Sequence, residues 1–82
     1  MKSNIFKRAI INRNKVRFLY HLEEIILEPY FLSVTSEGKK VIFGRVNNSH
    51  EIKMFNYDQI FNIKVLDWNK FSPIIPIIPV YN

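Results

Sequence analysis

Residues 28–60 read EPYFLSVTSEGKKVIFGRVNNSHEIKMFNYDQI, and this stretch decides the fold. Three apolar segments of strand length alternate in it with two polar segments, the first of which contains Gly38. Such alternation is typical of antiparallel strands joined by turns. It predicts a small meandering β-sheet that must curl to bury both of its faces.

The N-terminal part of the chain adds a helix and one more strand to this pattern. A short helix is predicted over about residues 3–13, with Ser3 or Asn4 as its cap. In the strand predicted at 15–20, apolar and basic residues alternate, so only one face is buried. The helix is too short to stand alone in water, so it must pack on another part of the protein through an apolar stripe formed by Ile5, Phe6, Ala9 and Ile10.

The second predicted strand, at 25–35, is apolar on both faces and long enough to bend. A short acidic connection at 21–24 precedes it. Pro29 marks an edge or a bulge in this strand, because proline has no N–H to donate to a sheet ladder.

Three further strands are predicted at 39–46, 51–55 and 60–66, with a helical turn at 56–59 before the last one. Gly44 is the expected bend or point of close approach in the third strand. Five short strands, one of them strongly bent, indicate a mainly β protein and a small closed or nearly closed barrel.

Length and composition narrow the class of protein. The 82 residues allow one domain, predicted at 1–71, followed by a tail at 72–82. The chain has no cysteine, no signal-peptide pattern and no apolar run near the roughly 18–20 residues that span a bilayer. We therefore expect a cytoplasmic protein without membrane contact. The abundance of Ile, Asn and Lys fits an AT-rich bacterial or phage genome.

Positive charge is concentrated near the N-terminus, where residues 1–17 hold six of the twelve Lys and Arg residues and no acid. Such a cluster attracts phosphate backbones. The alternative is an ordinary solvated helix face and an edge strand protected by charge. The aromatic residues also allow a binding role or a structural one. Bases stack on exposed aromatic rings, whereas aromatic residues at alternating strand positions usually form a core.

The tail repeats Pro-Ile-Ile, and proline at every third position suits polyproline II and disfavours a central strand. We consider three destinations for it: the barrel of the same chain, a neighbouring subunit of a homo-oligomer, and another protein. The residues predicted to make the oligomer or partner contact are Ile74, Ile75, Ile77, Ile78, Val80 and Tyr81.

Over about residues 5–67 the sequence resembles the WYL domain, an Sm-like or SH3-like barrel of bacterial regulators. The most specific match is the step Leu27-Glu28-Pro29-Tyr30. Because 82 residues leave no room for the helix-turn-helix that usually precedes this domain, we expect a stand-alone, divergent member. The other matching positions are Ala9, Ile10, Val16, Phe18, Tyr20, Leu32, Gly38, Lys53, Phe55 and Ile60.

The sequence departs from this family at the positions that name it and at its arginines. In the family, those arginines are thought to line a basic pocket for nucleic acid or nucleotide-like ligands. The resemblance therefore implies the fold more directly than the ligand site. The eponymous positions hold Lys40, Val41 and Ile42, and the arginine positions hold Ile25, Lys53 and Gln59.

No catalytic constellation emerges from the sequence. His21 and His50 lie in separate turns without ligand spacing, and no cysteine is present to complete a zinc site. Glu23 and Glu24 look like ordinary solvated acids, and there is no Gly-rich phosphate loop. We predict that the protein is not an enzyme and has neither a cofactor nor a metal site.

The sequence thus predicts a non-enzymatic regulatory module that recognises nucleic acid or a nucleotide-like ligand, for example in transcription. The alternative is a protein-interaction or assembly module, such as a small phage or bacterial accessory factor or inhibitor that binds a host protein. The residues expected to contact phosphates or stack on bases are Lys7, Arg8, Arg13, Lys15, Arg17, Tyr20, Tyr30 and Lys53.

Overall fold

The structure is a computed structural model that describes residues 1–73, apart from the side chain of Asn69. The predicted contacts of the tail residues Ile74, Ile75, Ile77, Ile78, Val80 and Tyr81 lie outside the described residues. The elements are α1 (Lys2–Asn12), β1 (Asn14–Tyr20), β2 (Glu23–Val34), β3 (Lys40–Val46), β4 (Ile52–Asn56), a one-turn 3-10 helix (Tyr57–Gln59) and β5 (Ile60–Lys70).

The five strands form one antiparallel sheet in the order β4-β3-β2-β1-β5. This confirms the predicted mainly β fold with five strands and a short N-terminal helix. The sheet is not closed, because β4 and β5 lie at its two edges. The closed form of the predicted barrel is therefore absent from the described residues. Within them, no helix is long and apolar enough to cross a membrane.

Helix α1 covers one face of the sheet, which we call the core face. Phe6, Ala9 and Ile10 of the helix are buried and belong to the same apolar cluster as Val16 and Phe18 of β1. Burying each such large side chain contributes about 1.5–3 kcal/mol to folding. This packing stabilises a helix that is too short to persist alone in water.

Strand alternation divides the residues of β1 between two faces. Asn14, Val16 and Phe18 are buried on the core face, whereas Lys15 and Arg17 lie on the opposite face, which we call the outer face. Helix α1 and the two basic residues of β1 therefore occupy opposite sides of the sheet.

The ends of α1 differ from the predicted ones. The predicted cap by Ser3 or Asn4 is wrong, because the N-cap position is Met1 and no side chain caps the helix. Ser3 Oγ instead donates a hydrogen bond to Tyr57 Oη at 3.3 Å. At the other end, Arg13 leaves the helix in the left-handed conformation, with φ of 59°.

Pro29 and Gly44 shape the pairing of β2 with β3, as the sequence predicts. The register shifts between Pro29 and Phe31, so Tyr30 is the extra residue of a bulge. Gly44 lies opposite Pro29, and a Cβ at this position would be only 2.3 Å from the carbonyl oxygen of Glu28. The two strands can approach each other this closely only because Gly44 has no side chain.

Two predicted boundaries are wrong. The connection predicted at 21–24 contains only two residues, since Glu23 and Glu24 already belong to β2 and pair with β1. The last strand continues to Lys70 rather than ending at residue 66. Its extension leads the chain to Phe71, which is buried and stacks on Tyr30 with ring centroids 5.8 Å apart.

Candidate functional site

A charged row crosses the outer face, with Glu28 at its centre. Glu28 is only 3% exposed and lies directly opposite Arg45 of β3. Arg45 Nε and Nη2 donate hydrogen bonds to its two carboxylate oxygens at 2.9 and 2.8 Å, and Lys15 Nζ lies 4.0 Å from Glu28 Oε2. The hydrogen bond to Glu28 raises the pKa of Arg45 above its usual value. The row as a whole carries one excess positive charge.

Further hydrogen bonds fix the two cations of this row. Lys15 Nζ donates to Asn47 Oδ1 at 2.9 Å, and Arg45 Nη1 donates to the carbonyl oxygen of Ser49 at 3.3 Å. Both partners lie in the loop that follows β3. The row therefore ties three strands and one loop together, and its first role is structural.

Arg17 extends the positive charge along β1. It lies on the outer face, directly opposite Lys64 of β5. Like charges on directly opposite strand residues are unfavourable. Glu24 Oε2 lies 3.7 Å from Arg17 Nε, but this pair is solvent-exposed and therefore contributes little. We call the four outer-face cations Lys15, Arg17, Arg45 and Lys64 the outer basic strip.

The other predicted basic residues lie elsewhere. Lys7 and Arg8 belong to α1, which packs on the core face, on the far side of β1 from Lys15 and Arg17. The structure thus joins Lys15 and Arg17 in one strip but does not add the helix cations to them.

Arg13 and Lys53 are also separate from the strip. Arg13 Nη1 donates to the carbonyl oxygen of Ile10 at 2.9 Å, so its guanidinium binds the end of its own helix. Lys53 is exposed on the edge strand β4, opposite Gly44, and two strands separate β4 from β1.

The two predicted stacking residues have different environments. Tyr20 is half-buried, packs edge-to-face on Phe55 at 4.9 Å, and accepts the backbone N–H of Asn56 at 3.2 Å. Tyr30 is fully buried, so the prediction of an exposed ring is wrong. The bulge after Pro29 places Tyr30 against Phe71 and leaves no ring face for a base.

Sequence reasoning missed Arg45 and Lys64. Both stand at outward positions of their strands, but their approach to β1 depends on the strand order. Only the burial of Glu28 had a local indication, because an acid inside a long apolar strand needs a cationic partner.

An apolar groove of about 500 Å³ lies beside the β1–β2 turn. In this turn His21 and Leu22 both have positive φ, 52° and 65°, which is unfavourable for residues with large side chains. Leu22 is 98% exposed and Phe61 is 61% exposed. A strained turn thus presents a leucine to solvent. The groove is lined by Leu19, His21, Leu22, Asp58, Gln59 and Phe61.

No family model, curated protein or solved structure matches this chain. The resemblance to the WYL domain therefore stays a prediction. Among residues 1–73, no group of three or more His, Cys, Asp or Glu side chains is placed to hold a metal ion.

Proposed function

We propose that the protein is a non-enzymatic cytoplasmic binding module of WYL-like type, whose outer basic strip binds the phosphates of a nucleic acid or nucleotide-like ligand. The observation that carries this proposal is the position of Arg17 directly opposite Lys64. Two cations held side by side on a sheet repel each other, and an anion bound between them converts that repulsion into attraction. Since the proposed module binds its ligand reversibly and catalyses no reaction, we propose that its role is regulatory.

The rest of the strip favours phosphate over a single small anion. Lys15 lies two residues before Arg17 on the same face of β1 and is held by Asn47 and Glu28. Arg45 is held in place by Glu28. Because these cations are already ordered, they lose little side-chain entropy when a ligand binds. Successive phosphates of a nucleic acid can therefore contact successive strip residues.

The test is fluorescence anisotropy with short single-stranded oligonucleotides, and competition with cyclic nucleotides, at about 50 mM and about 200 mM salt. We expect tighter binding at low salt, with a logarithmic slope that falls by roughly 0.7 for each phosphate contact removed. The double variant Arg17→Gln, Lys64→Gln should bind weakly and with a reduced slope.

The matched control is Lys39→Gln, Lys40→Gln, which removes the same charge from exposed residues at the β2–β3 turn. It should retain most of the affinity. No binding by the unmodified protein at low salt contradicts the proposal, and so does an equal loss in both double variants.

The second candidate function is that of a protein-interaction or assembly module, and the observation that favours it is the apolar groove. Leu22 and Phe61 are both exposed at this groove, and Leu22 holds an unfavourable φ, so the groove forms an apolar patch that suits contact with another protein. Pull-down with nuclease treatment separates the two functions. A partner that survives nuclease but is lost with Leu22→Ser supports protein interaction, and a partner that nuclease removes supports nucleic-acid binding. Light scattering of the same variant tests a homo-oligomer through this groove.

A further inference from the structure

A cavity of about 300 Å³ lies between α1 and β5, on the core side of β1. It is at the lower end of the volumes of small-molecule sites, so it suits a ligand of about one ring system. It lies on the opposite side of β1 from the outer basic strip and shares no residue with it. The lining residues are Ile5, Arg8, Ala9, Asn12, Asn14, Val65 and Asp67.

Asn14 is the unusual member of this lining. The residue is only 5% exposed, and its Oδ1 is buried without a hydrogen-bond partner among the described residues. Leaving such an acceptor unpaired is unfavourable. Because the oxygen itself is closed to solvent, a ligand that donates a hydrogen bond to it needs the Asn14 side chain to turn toward the cavity, and this bond then removes the penalty. The cavity therefore favours a ligand with N–H or O–H donors.

Two charged side chains stand at the same cavity. Arg8 and Asp67 are both exposed, and neither forms an ion pair within residues 1–73. Asp67 can accept two parallel N–H bonds, and Arg8 can donate two. The cavity thus offers a pair of acceptors and a pair of donors to one ligand.

Ile5, Ala9 and Val65 give the cavity an apolar part, and Asn12 is its remaining polar lining residue. The apolar part suits the face of a planar ring, while the polar groups suit its edge. A nucleobase has this combination of a flat apolar face and a hydrogen-bonding edge.

Among the bases, guanine matches the polar groups. Its ring N–H and exocyclic amino group lie side by side and fit a carboxylate such as Asp67, while its O6 and N7 are the acceptor pair that arginine contacts bidentately. Adenine presents no such adjacent donor pair. From these complementary groups we infer that the cavity binds a guanine base, through Asp67, Arg8 and Asn14.

This site goes beyond the proposed phosphate binding, and guanosine, which has no phosphate, separates the two. Isothermal titration of the full chain should detect guanosine at a Kd of about 1 mM or tighter. Inosine lacks the exocyclic amino group and should bind about tenfold more weakly or worse. Adenosine should bind at least as weakly as inosine.

Variants assign the binding to the cavity. Asp67→Asn should weaken guanosine binding about tenfold or more, and since Asp67 is exposed the variant should fold. Asp58→Asn removes the same charge from another exposed acid and should leave binding unchanged. The Arg17→Gln, Lys64→Gln variant should also bind guanosine normally. The inference is overturned if guanosine fails to bind, if adenosine binds equally well, or if Asp67→Asn has no effect.

Discussion

The β1–β2 and β2–β3 hairpins share strand β2 but differ in their turns. In the β2–β3 turn, Gly38 takes the positive φ of 80° and donates its N–H to the carbonyl oxygen of Thr35 at 2.9 Å. Glycine adopts this conformation without steric cost. In the β1–β2 turn, the same region of φ is occupied by His21 and Leu22. The β1–β2 turn thus keeps two exposed residues in an unfavourable conformation, which the proposed contact with a partner protein would explain.

The two hairpins also differ in how their strands pair. The β2–β3 pairing contains the bulge after Pro29, the close approach at Gly44 and the buried pair of Glu28 with Arg45. The β1–β2 pairing is regular, and its ion pair, Arg17 with Glu24, is exposed. The β2–β3 hairpin therefore holds the shape of the sheet, while the β1–β2 hairpin carries Arg17 and Leu22, on which the two proposed functions depend. If the two hairpins have these different roles, substitutions in the β2–β3 hairpin should destabilise the protein more than substitutions in the β1–β2 hairpin.

The largest effect is expected at Gly44. Gly44→Ala places a Cβ 2.3 Å from the carbonyl oxygen of Glu28, a backbone atom that cannot rotate away. Forcing the strands apart should lower the free energy of unfolding by about 3 kcal/mol. Urea denaturation measures this loss.

The control for that variant is Gly38→Ala, since a Cβ at Gly38 has no atom within 4 Å and only the positive φ is strained. Its loss should be about 1 kcal/mol. Equal losses in the two variants would contradict the close approach at Gly44, because only Gly38 has a positive φ.

The second prediction concerns the buried ion pair. Glu28→Gln keeps the size of the side chain but removes the charge that Arg45 and Lys15 contact. Weakening these charge-assisted hydrogen bonds should lower the free energy of unfolding by about 2 kcal/mol. Glu24→Gln is the matched control in the β1–β2 hairpin, and its change should stay within about 0.5 kcal/mol. Similar losses would contradict the assignment of the structural role to the β2–β3 hairpin.

The third prediction concerns the β1–β2 turn, where substitution is expected to raise the free energy of unfolding rather than lower it. His21→Asn with Leu22→Gly installs the residues that a two-residue hairpin turn prefers. It should raise the free energy of unfolding by about 1–2 kcal/mol, because the cost of positive φ at two large residues disappears. It should also abolish any partner binding through the apolar groove.

Leu22→Ala is the control for this turn, because it removes the exposed side chain but keeps a Cβ at positive φ. It should lose partner binding without the gain in stability. If Asn-Gly brings no stabilisation in thermal melts, the turn is not strained and the argument for a partner at Leu22 fails.

The contrast between the hairpins also explains what could be predicted from the sequence. Pro29, Gly38 and Gly44 impose requirements on the backbone by themselves, so the bulge, the turn and the close approach were predictable. His21 and Leu22 impose no turn. The adjacent acids Glu23 and Glu24 look like loop residues, and the connection was therefore predicted too long.

The candidate site was predictable only where local alternation decides it. Lys15 and Arg17 share a face because they are two residues apart in one strand. Their neighbour Lys64 and the burial of Tyr30 depend on which distant strands pair and where the chain goes after β5. No local pattern encodes these contacts, so the outer basic strip could be identified only from the structure.

The smallest effect on stability is expected at Arg17. Arg17→Gln removes an exposed pair with Glu24 and, at the same time, the repulsion by Lys64 on the neighbouring strand. Both terms are of the order of 0.2–1 kcal/mol and opposite in sign, so the free energy of unfolding should change by less than about 0.5 kcal/mol. Oligonucleotide affinity at low salt should nevertheless fall several-fold, because one phosphate contact is lost.

Salt provides the internal control for Arg17→Gln. Raising the ionic strength screens both the attraction of Arg17 to Glu24 and its repulsion by Lys64, so the small stability difference between the unmodified protein and the variant should shrink further as salt increases. The difference in thermal melting temperature between the two proteins should shift accordingly. If the variant unfolds much more easily at every salt concentration, Arg17 stabilises the fold. The β1–β2 hairpin would then share the structural role of the β2–β3 hairpin.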